Sequence, residues 1–228
     1  MSDNVKKSYI ITGAWFIGFM LFTLLVMFVD VKAVGPEGTG VGFSAVNKAI
    51  ADAFPYRAAF YKISKYAGYL TIAIAACFAA YGVLMAVVRK SLKKVDRDIY
   101  VLAGLYVLVV IFYVLFDKVV INYRPVLEDG AIEASYPSTH TMLAICILMS
   151  AATEIGIRVK ENRLRLAIKA CLYLLMVIVI LARFFSGVHW LTDFVGAALL
   201  SIALVRLFRT VCAQLCGDEW LSSKKNED

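Results

Sequence analysis

The chain has two histidines, His140 and His189, and each stands in a short polar stretch of an otherwise apolar sequence. The second stretch reads Arg183-Phe184-Phe185-Ser186-Gly187-Val188-His189-Trp190-Leu191-Thr192-Asp193. Gly187 breaks the preceding helical run. His189 and Asp193 are four apart and share one face of the helix that follows. A carboxylate so placed accepts one imidazole N–H, fixes the tautomer and leaves the other ring nitrogen free to attack an electrophile. It also favours the charged imidazole and should raise the His189 pKa. Taken alone, the same pair also reads as a structural closure of a helix end.

The first stretch is Tyr136-Pro137-Ser138-Thr139-His140. Proline is tolerated in a first helical turn, and Ser or Thr caps one. The free N–H groups of such a terminus attract anions, and Ser138 and Thr139 add hydroxyl donors. His140 then stands where it can give a proton to a leaving oxygen. An ordinary capped helix start is the plainer reading. A third cluster, Asp117-Lys118 followed by Asn122-Tyr123-Arg124-Pro125, supplies the fork-shaped cation suited to bidentate phosphate contacts. A basic side chain snorkelling at a membrane edge explains it equally well in isolation. Three anion-friendly clusters on one rim are harder to explain separately than together.

The elements that must carry these clusters are set by hydrophobicity. The chain is 61% hydrophobic and 18% charged over 228 residues, against about 45–50% and about 25% for a soluble domain. Six apolar runs, roughly 8–29, 67–88, 99–116, 139–157, 166–185 and 190–208, approach the length needed to cross about 30 Å of hydrocarbon. They must be helices, since a lone strand leaves its backbone unpaired in lipid. The expected fold is therefore all-α: one polytopic membrane domain over 1–228, with six transmembrane helices, a motif region at 118–193 and a flexible tail at 222–228. The first run exceeds a signal-peptide core and is read as a retained helix. Within 34–65, Phe43, Val46, Ile50 and Phe54 recur at helical steps with Asn47, Lys48 and Asp52 between them, which predicts a short amphipathic helix on the outer surface.

Charge gives the orientation. With the N-terminus inside, the inner segments hold roughly two thirds of the Lys and Arg, concentrated in the loops 89–98 and 158–165. Both histidines then fall at the outer face. The net charge of +7 is accounted for by topology, so nucleic acid is not expected as a partner. The five cysteines offer no staple for an outer loop, and Cys212 with Cys216 lacks the further ligands a zinc site needs.

Together the motifs resemble the type-2 phosphatidic acid phosphatase superfamily, whose members carry Lys-x6-Arg-Pro, then Pro-Ser-Gly-His, then Ser-Arg-x5-His-x3-Asp. The counterparts here are Lys118-x5-Arg124-Pro125, Pro137-Ser138-Thr139-His140 and Arg183-x5-His189-x3-Asp193. Three positions depart from the pattern. Lys118 is one residue too close to Arg124, and the six-residue spacing falls on Asp117 instead. Thr139 replaces Gly, and Ala182 replaces Ser.

The resemblance implies a lipid phosphatase. His189 would be the nucleophile that forms a phosphohistidine, held by Asp193. His140 would protonate the leaving oxygen and then activate water. Arg124, Arg183, Lys118, Ser138 and the Thr139 backbone would stabilise phosphate charge. It implies no cofactor and no metal. A magnesium ion at Glu128-Asp129 is the alternative, although adjacent carboxylates in a Gly-containing turn are usually just solvated. Expected substrates are undecaprenyl pyrophosphate, phosphatidylglycerol phosphate or phosphatidic acid in the bilayer. Two further readings are phosphotransfer to an alcohol at the same site, and a six-helix transporter or scaffold. Transporters usually place charge near the midplane, whereas these spans are nearly free of it. Soluble haloperoxidases share the motifs, but this composition is not that of a soluble protein.

Overall fold

In hydrocarbon no water satisfies the backbone, so each long apolar run closes its own hydrogen bonds as a helix. The computed structural model, which describes residues 1–127 and 130–221, contains six helices long and apolar enough to span a membrane. They are α1 (Asp3–Phe28), α3 (Ala58–Val88), α4 (Arg97–Lys118), α5 (Thr139–Arg158), α6 (Asn162–Phe185) and α7 (Leu191–Cys216). A short helix, α2 (Ser44–Ala53), follows a two-residue hairpin of β1 (Lys32–Ala33) and β2 (Gly40–Val41). The segments 128–129 and 222–228, where a magnesium site and a flexible tail were expected, lie outside the described residues.

Two helices form the centre. About 61% of the apolar window of α5 and 56% of that of α7 is buried, against 11–22% for the other four. The sequence explains the difference. Helices α5 and α7 carry Ala144, Ser150, Ala151, Ala152, Gly196, Ala197, Ser201 and Ala203, all small. Small residues let helix backbones approach closely in lipid, where packing rather than the hydrophobic effect drives association. Outward-facing Ile17, Leu21, Leu70, Val107, Val110 and Leu174 are exposed, as lipid-facing side chains must be.

Polar contacts fix the ends. At one end Arg158 bridges Asp98 at 2.9 Å and Glu154 at 3.1 Å, with its guanidinium over the Tyr81 ring. Glu154 is fully buried within α5, so the spans are less free of charge than the sequence implied. The Ser8 and Thr210 hydroxyls meet at 2.6 Å between α1 and α7 near the same end. The other end gathers the segments before α3, α5 and α7.

Helix α2 is present as expected, and the face it docks carries Phe43, Ile50 and Phe54, all partly buried, with a polar residue among them. Val46 is exposed, whereas Asn47 is fully buried. The Asn47 amide donates to the Gly42 carbonyl at 2.7 Å and to Thr192 Oγ1 at 3.0 Å, and its Oδ1 accepts the Thr192 N–H. One polar side chain thereby ties the surface helix to the start of α7.

Candidate active site

The segment after α4 doubles back on itself. The Arg124 N–H donates to the Glu133 carbonyl at 2.9 Å, and the Ser135 N–H donates to the Asn122 carbonyl at 2.9 Å. This pairing fixes two side chains. The Arg124 guanidinium turns inward, 12% exposed, and meets Glu133 Oε2 at 3.0 Å. Burial draws the Arg124 pKa below its ordinary value, with the Glu133 and Asp193 charges opposing that shift. The Ser135 side chain, buried, reaches the start of α7.

His189 lies in the bend between α6 and α7, not in the helix itself. Gly187 makes this bend with φ +71°, and a Cβ there would come within 2.6 Å of the Phe54 carbonyl oxygen. The conformation and the close approach both require glycine. Helix α7 then starts at Leu191, and Asp193 reaches back so that its Oδ2 accepts the Trp190 N–H at 2.9 Å. The same oxygen stands 3.2 Å from His189 Nδ1. The expected pairing of the two residues is thus present, but a helix start closing on itself produces it, rather than a shared helical face.

Ser135, which the sequence reading did not single out, completes the arrangement. Its hydroxyl donates to Asp193 Oδ2 and lies 3.0 Å from His189 Nδ1. A hydroxyl has one proton, and that proton is engaged with Asp193. Both neighbours of Nδ1 are therefore acceptors, so Nδ1 carries the ring proton and Nε2 presents a lone pair. His189 Nε2 is buried and has no hydrogen-bond partner among the described residues.

The electrostatics correct one expectation. Asp193 was expected to raise the His189 pKa. Burial dominates instead, with the charges of Arg183 and Arg124 acting in the same direction, and it holds His189 well below its ordinary 6.5. The ring is neutral, as a nucleophile must be.

Arg183, at the end of α6, is 1% exposed. Its Nε and Nη1 have no hydrogen-bond partner among the described residues, and Tyr61 of α3 lies 5.2 Å from its Cζ. Arg124 is close enough for the two guanidinium charges to repel. A buried cation with unmet donors is costly unless an anion completes it.

The Tyr136–His140 stretch is locked to α7. The Ser138 N–H donates to the Asp193 carbonyl at 3.1 Å, and the Tyr136 ring packs directly on Gly196, where a Cβ would sit 2.4 Å from its Cε2. Ser138 occupies the N-cap position of α5 as expected, but its hydroxyl contacts Thr141 Oγ1 at 3.0 Å instead of a first-turn N–H. Thr139 is the first residue of α5 and His140 the second. The His140 ring lies against Gly68 of α3: a Cβ at that glycine would be 3.2 Å from His140 Cδ2. His140 is within electrostatic reach of His189, Arg183 and Arg124.

Arg124, Ser138, Thr139, His140, Arg183, His189 and Asp193 are therefore gathered at one end of the bundle. Lys118 is not. It ends α4 with its side chain 77% exposed and its Nζ 3.0 Å from Asp117. Helix α3 contributes instead, through Tyr61, Lys65 and Gly68, none of which carries a motif. An aromatic cluster of Phe54, Phe184 and Phe194 backs the His189 ring, with the Phe194 centroid 5.8 Å from it.

This geometry joins a neutral imidazole with an unengaged nitrogen, a carboxylate and a hydroxyl orienting it, a second imidazole, and two inward guanidinium groups. Such a set can deliver a nucleophile to an anionic centre and a proton to its leaving group. No curated protein matches the chain. Among solved structures, the fold is similar to that described as the first transmembrane PAP2 type phosphatidylglycerolphosphate phosphatase from Bacillus subtilis. The TM-score is 0.64 at 17% sequence identity, over 90% of this chain and 96% of that one. The PAP2 superfamily model matches residues 119–214, the segment that carries Arg124, both histidines and Asp193, so this part of the chain is similar to that superfamily.

Proposed function

We propose that the protein is an integral-membrane phosphatase that hydrolyses a lipid phosphate or lipid diphosphate through a phosphohistidine at His189. One observation carries the reading: among the described residues His189 Nε2 has no hydrogen-bond partner and shares a buried site with Arg183, whose Nε and Nη1 are also unmet. A phosphoryl group satisfies both at once.

In this reading Asp193 and Ser135 orient His189, and Arg124, Arg183, Ser138 and the Thr139 backbone bind the phosphoryl oxygens. His140 protonates the leaving oxygen and then takes a proton from the water that opens the phosphohistidine. The side chains supply the positive charge that a metal provides elsewhere. Undecaprenyl pyrophosphate, phosphatidylglycerol phosphate and phosphatidic acid are the substrates to test, reached from the outer leaflet with both termini inside. The basic loops at the opposite end of the bundle support that orientation. Phosphate release by the purified protein in detergent across this panel tests the reading, with His189→Ala as the control. Activity in His189→Ala equal to that of the wild type removes it.

A further inference from the structure

Three cations stand near the His140 ring: Arg124 and Arg183, which also reach His189, and Lys65. The geometry of α3 agrees. Tyr61, Lys65 and Gly68 are four and three residues apart and share one helical face. Tyr61 at one end of that face lies 5.2 Å from the Arg183 guanidinium, and Gly68 at the other end lies against the His140 ring. Lys65 stands between them at the rim, exposed and without an ion-pair partner among the described residues. Gly68 keeps this face close, since a side chain there would press on His140. Lys118, the lysine that the motif pattern pointed to, faces away.

We propose, building on the phosphatase reading, that Lys65 forms a subsite for a leaving group that carries its own phosphate. Attack by His189 Nε2 forms the N–P bond on one side of the phosphorus. The P–O bond breaks on the opposite side, its electron pair goes to the leaving oxygen, and that oxygen takes the His140 proton. His140 therefore marks the leaving-group side, and Lys65 marks the leaving group itself. If the leaving group is an alcohol, as from phosphatidic acid or a prenyl monophosphate, Lys65 meets no charge. If it is a lipid monophosphate, as from a prenyl diphosphate, or a phosphodiester, as from phosphatidylglycerol phosphate, Lys65 meets an anion. The subsite selects the second group. Lys suits the role, since it offers a mobile point charge where Arg would demand a fixed fork. Water then attacks the phosphohistidine, giving its proton to His140, and inorganic phosphate leaves with His189 neutral again.

The test uses two matched pairs in detergent: farnesyl diphosphate with farnesyl monophosphate, and phosphatidylglycerol phosphate with phosphatidic acid. The value kcat/KM is measured for the wild type, Lys65→Gln and Lys65→Arg. Lys65→Gln should lose about tenfold more on the member of a pair that carries two phosphates, about 1.4 kcal/mol of discrimination. Lys65→Arg should restore most of that ratio. A selective loss confined to the prenyl pair assigns the subsite to a diphosphate, and one confined to the glycerolipid pair to a phosphodiester. Equal losses within both pairs overturn the proposal. A wild-type protein that releases no phosphate from any of the four sinks the phosphatase reading itself, a result distinct from lost selectivity.

Discussion

The Ser138 amide donates to the Asp193 carbonyl at 3.1 Å, so the N-cap of α5 is tied to the residue whose carboxylate meets His189. The two histidine motifs, whose histidines are 49 residues apart in sequence, thus share one backbone hydrogen bond. Neither can shift alone, which is the preorganisation an electrostatic site requires.

The orientation of His189 rests on Asp193 and Ser135 together. Asp193→Asn should keep the fold and lower kcat on the order of 10³-fold or more, because an amide can hold the wrong tautomer. Ser135→Ala leaves the carboxylate in place and should cost less, on the order of tenfold. Steady-state kinetics of both variants, with unfolding temperatures as the fold control, measures this. A larger loss for Ser135→Ala than for Asp193→Asn would reverse the assigned roles.

The protonation of His189 gives a pH signature. The folded chain holds the ring neutral well below its ordinary 6.5, through burial first and then the Arg183 and Arg124 charges. Phosphoenzyme formation should therefore persist below pH 6.5 and not fall with the titration of an ordinary histidine. Stability carries the opposite cost. The unfolded chain takes up a proton near pH 6.5 that the folded chain refuses. The His189 contribution is thus neutral above that pH and destabilising as pH falls through it, by at most about 1.4 kcal/mol per unit. The unfolding temperature of the wild type against that of His189→Gln between pH 5 and pH 8 checks the sign. A difference between the two that grows as pH rises would contradict it.

Arg124 and Arg183 face the site, whereas Lys118 faces away beside Asp117. Lys118→Ala should leave activity within about threefold of the wild type, as exposed substitutions usually do. Arg124→Ala and Arg183→Ala should each cost on the order of 10²–10³-fold in kcat/KM. Comparable losses for all three would mean that α4 ends differently when substrate is bound.

The motif residues were legible because they combine rare residue types with fixed spacing. Two histidines in an apolar chain cannot fall together at one bundle end without consequence. The departure of Lys118 from its spacing was legible too, since one helical position is about 100° of rotation. Ser135, Tyr61 and Lys65 were not. Ser135 enters through a loop pairing with no periodic signal, and Tyr61 and Lys65 enter through a helix whose packing partner only the tertiary structure specifies. The burial of Asn47 was hidden for a similar reason. A polar residue between apolar ones reads as solvent-facing until the backbone groups it satisfies are visible.

Orientation in the bilayer is testable without substrate. The site-bearing loop 122–135 should be extracytoplasmic, and the loop 89–98, rich in Lys and Arg, cytoplasmic. Single cysteines placed in each loop of a Cys-free variant should follow that order with an impermeant thiol reagent on intact cells. Labelling at 89–98 without labelling near Ser135 would invert the protein.

The two histidines are chemically alike and should fail differently. His189 Nε2 is buried and unengaged among the described residues, and as the proposed nucleophile its loss in His189→Ala should abolish phosphoenzyme altogether. The measurement is acid-labile, base-stable phosphate on the protein after a rapid quench. His140 lies at the start of α5, against α3, and in the proposed reaction would serve the leaving oxygen and later the water. His140→Ala should therefore form phosphoenzyme slowly from a lipid phosphate but readily from a nitrophenyl phosphate, whose leaving group needs no proton. The intermediate should then accumulate, because the water that removes it has lost its base. The two variants thus separate along one reaction, with no intermediate in one and a trapped intermediate in the other. Labelled phosphate on a protein that lacks His189 would move the nucleophile to another group. Equal loss of phosphoenzyme from both substrates in His140→Ala would remove His140 from its role as acid.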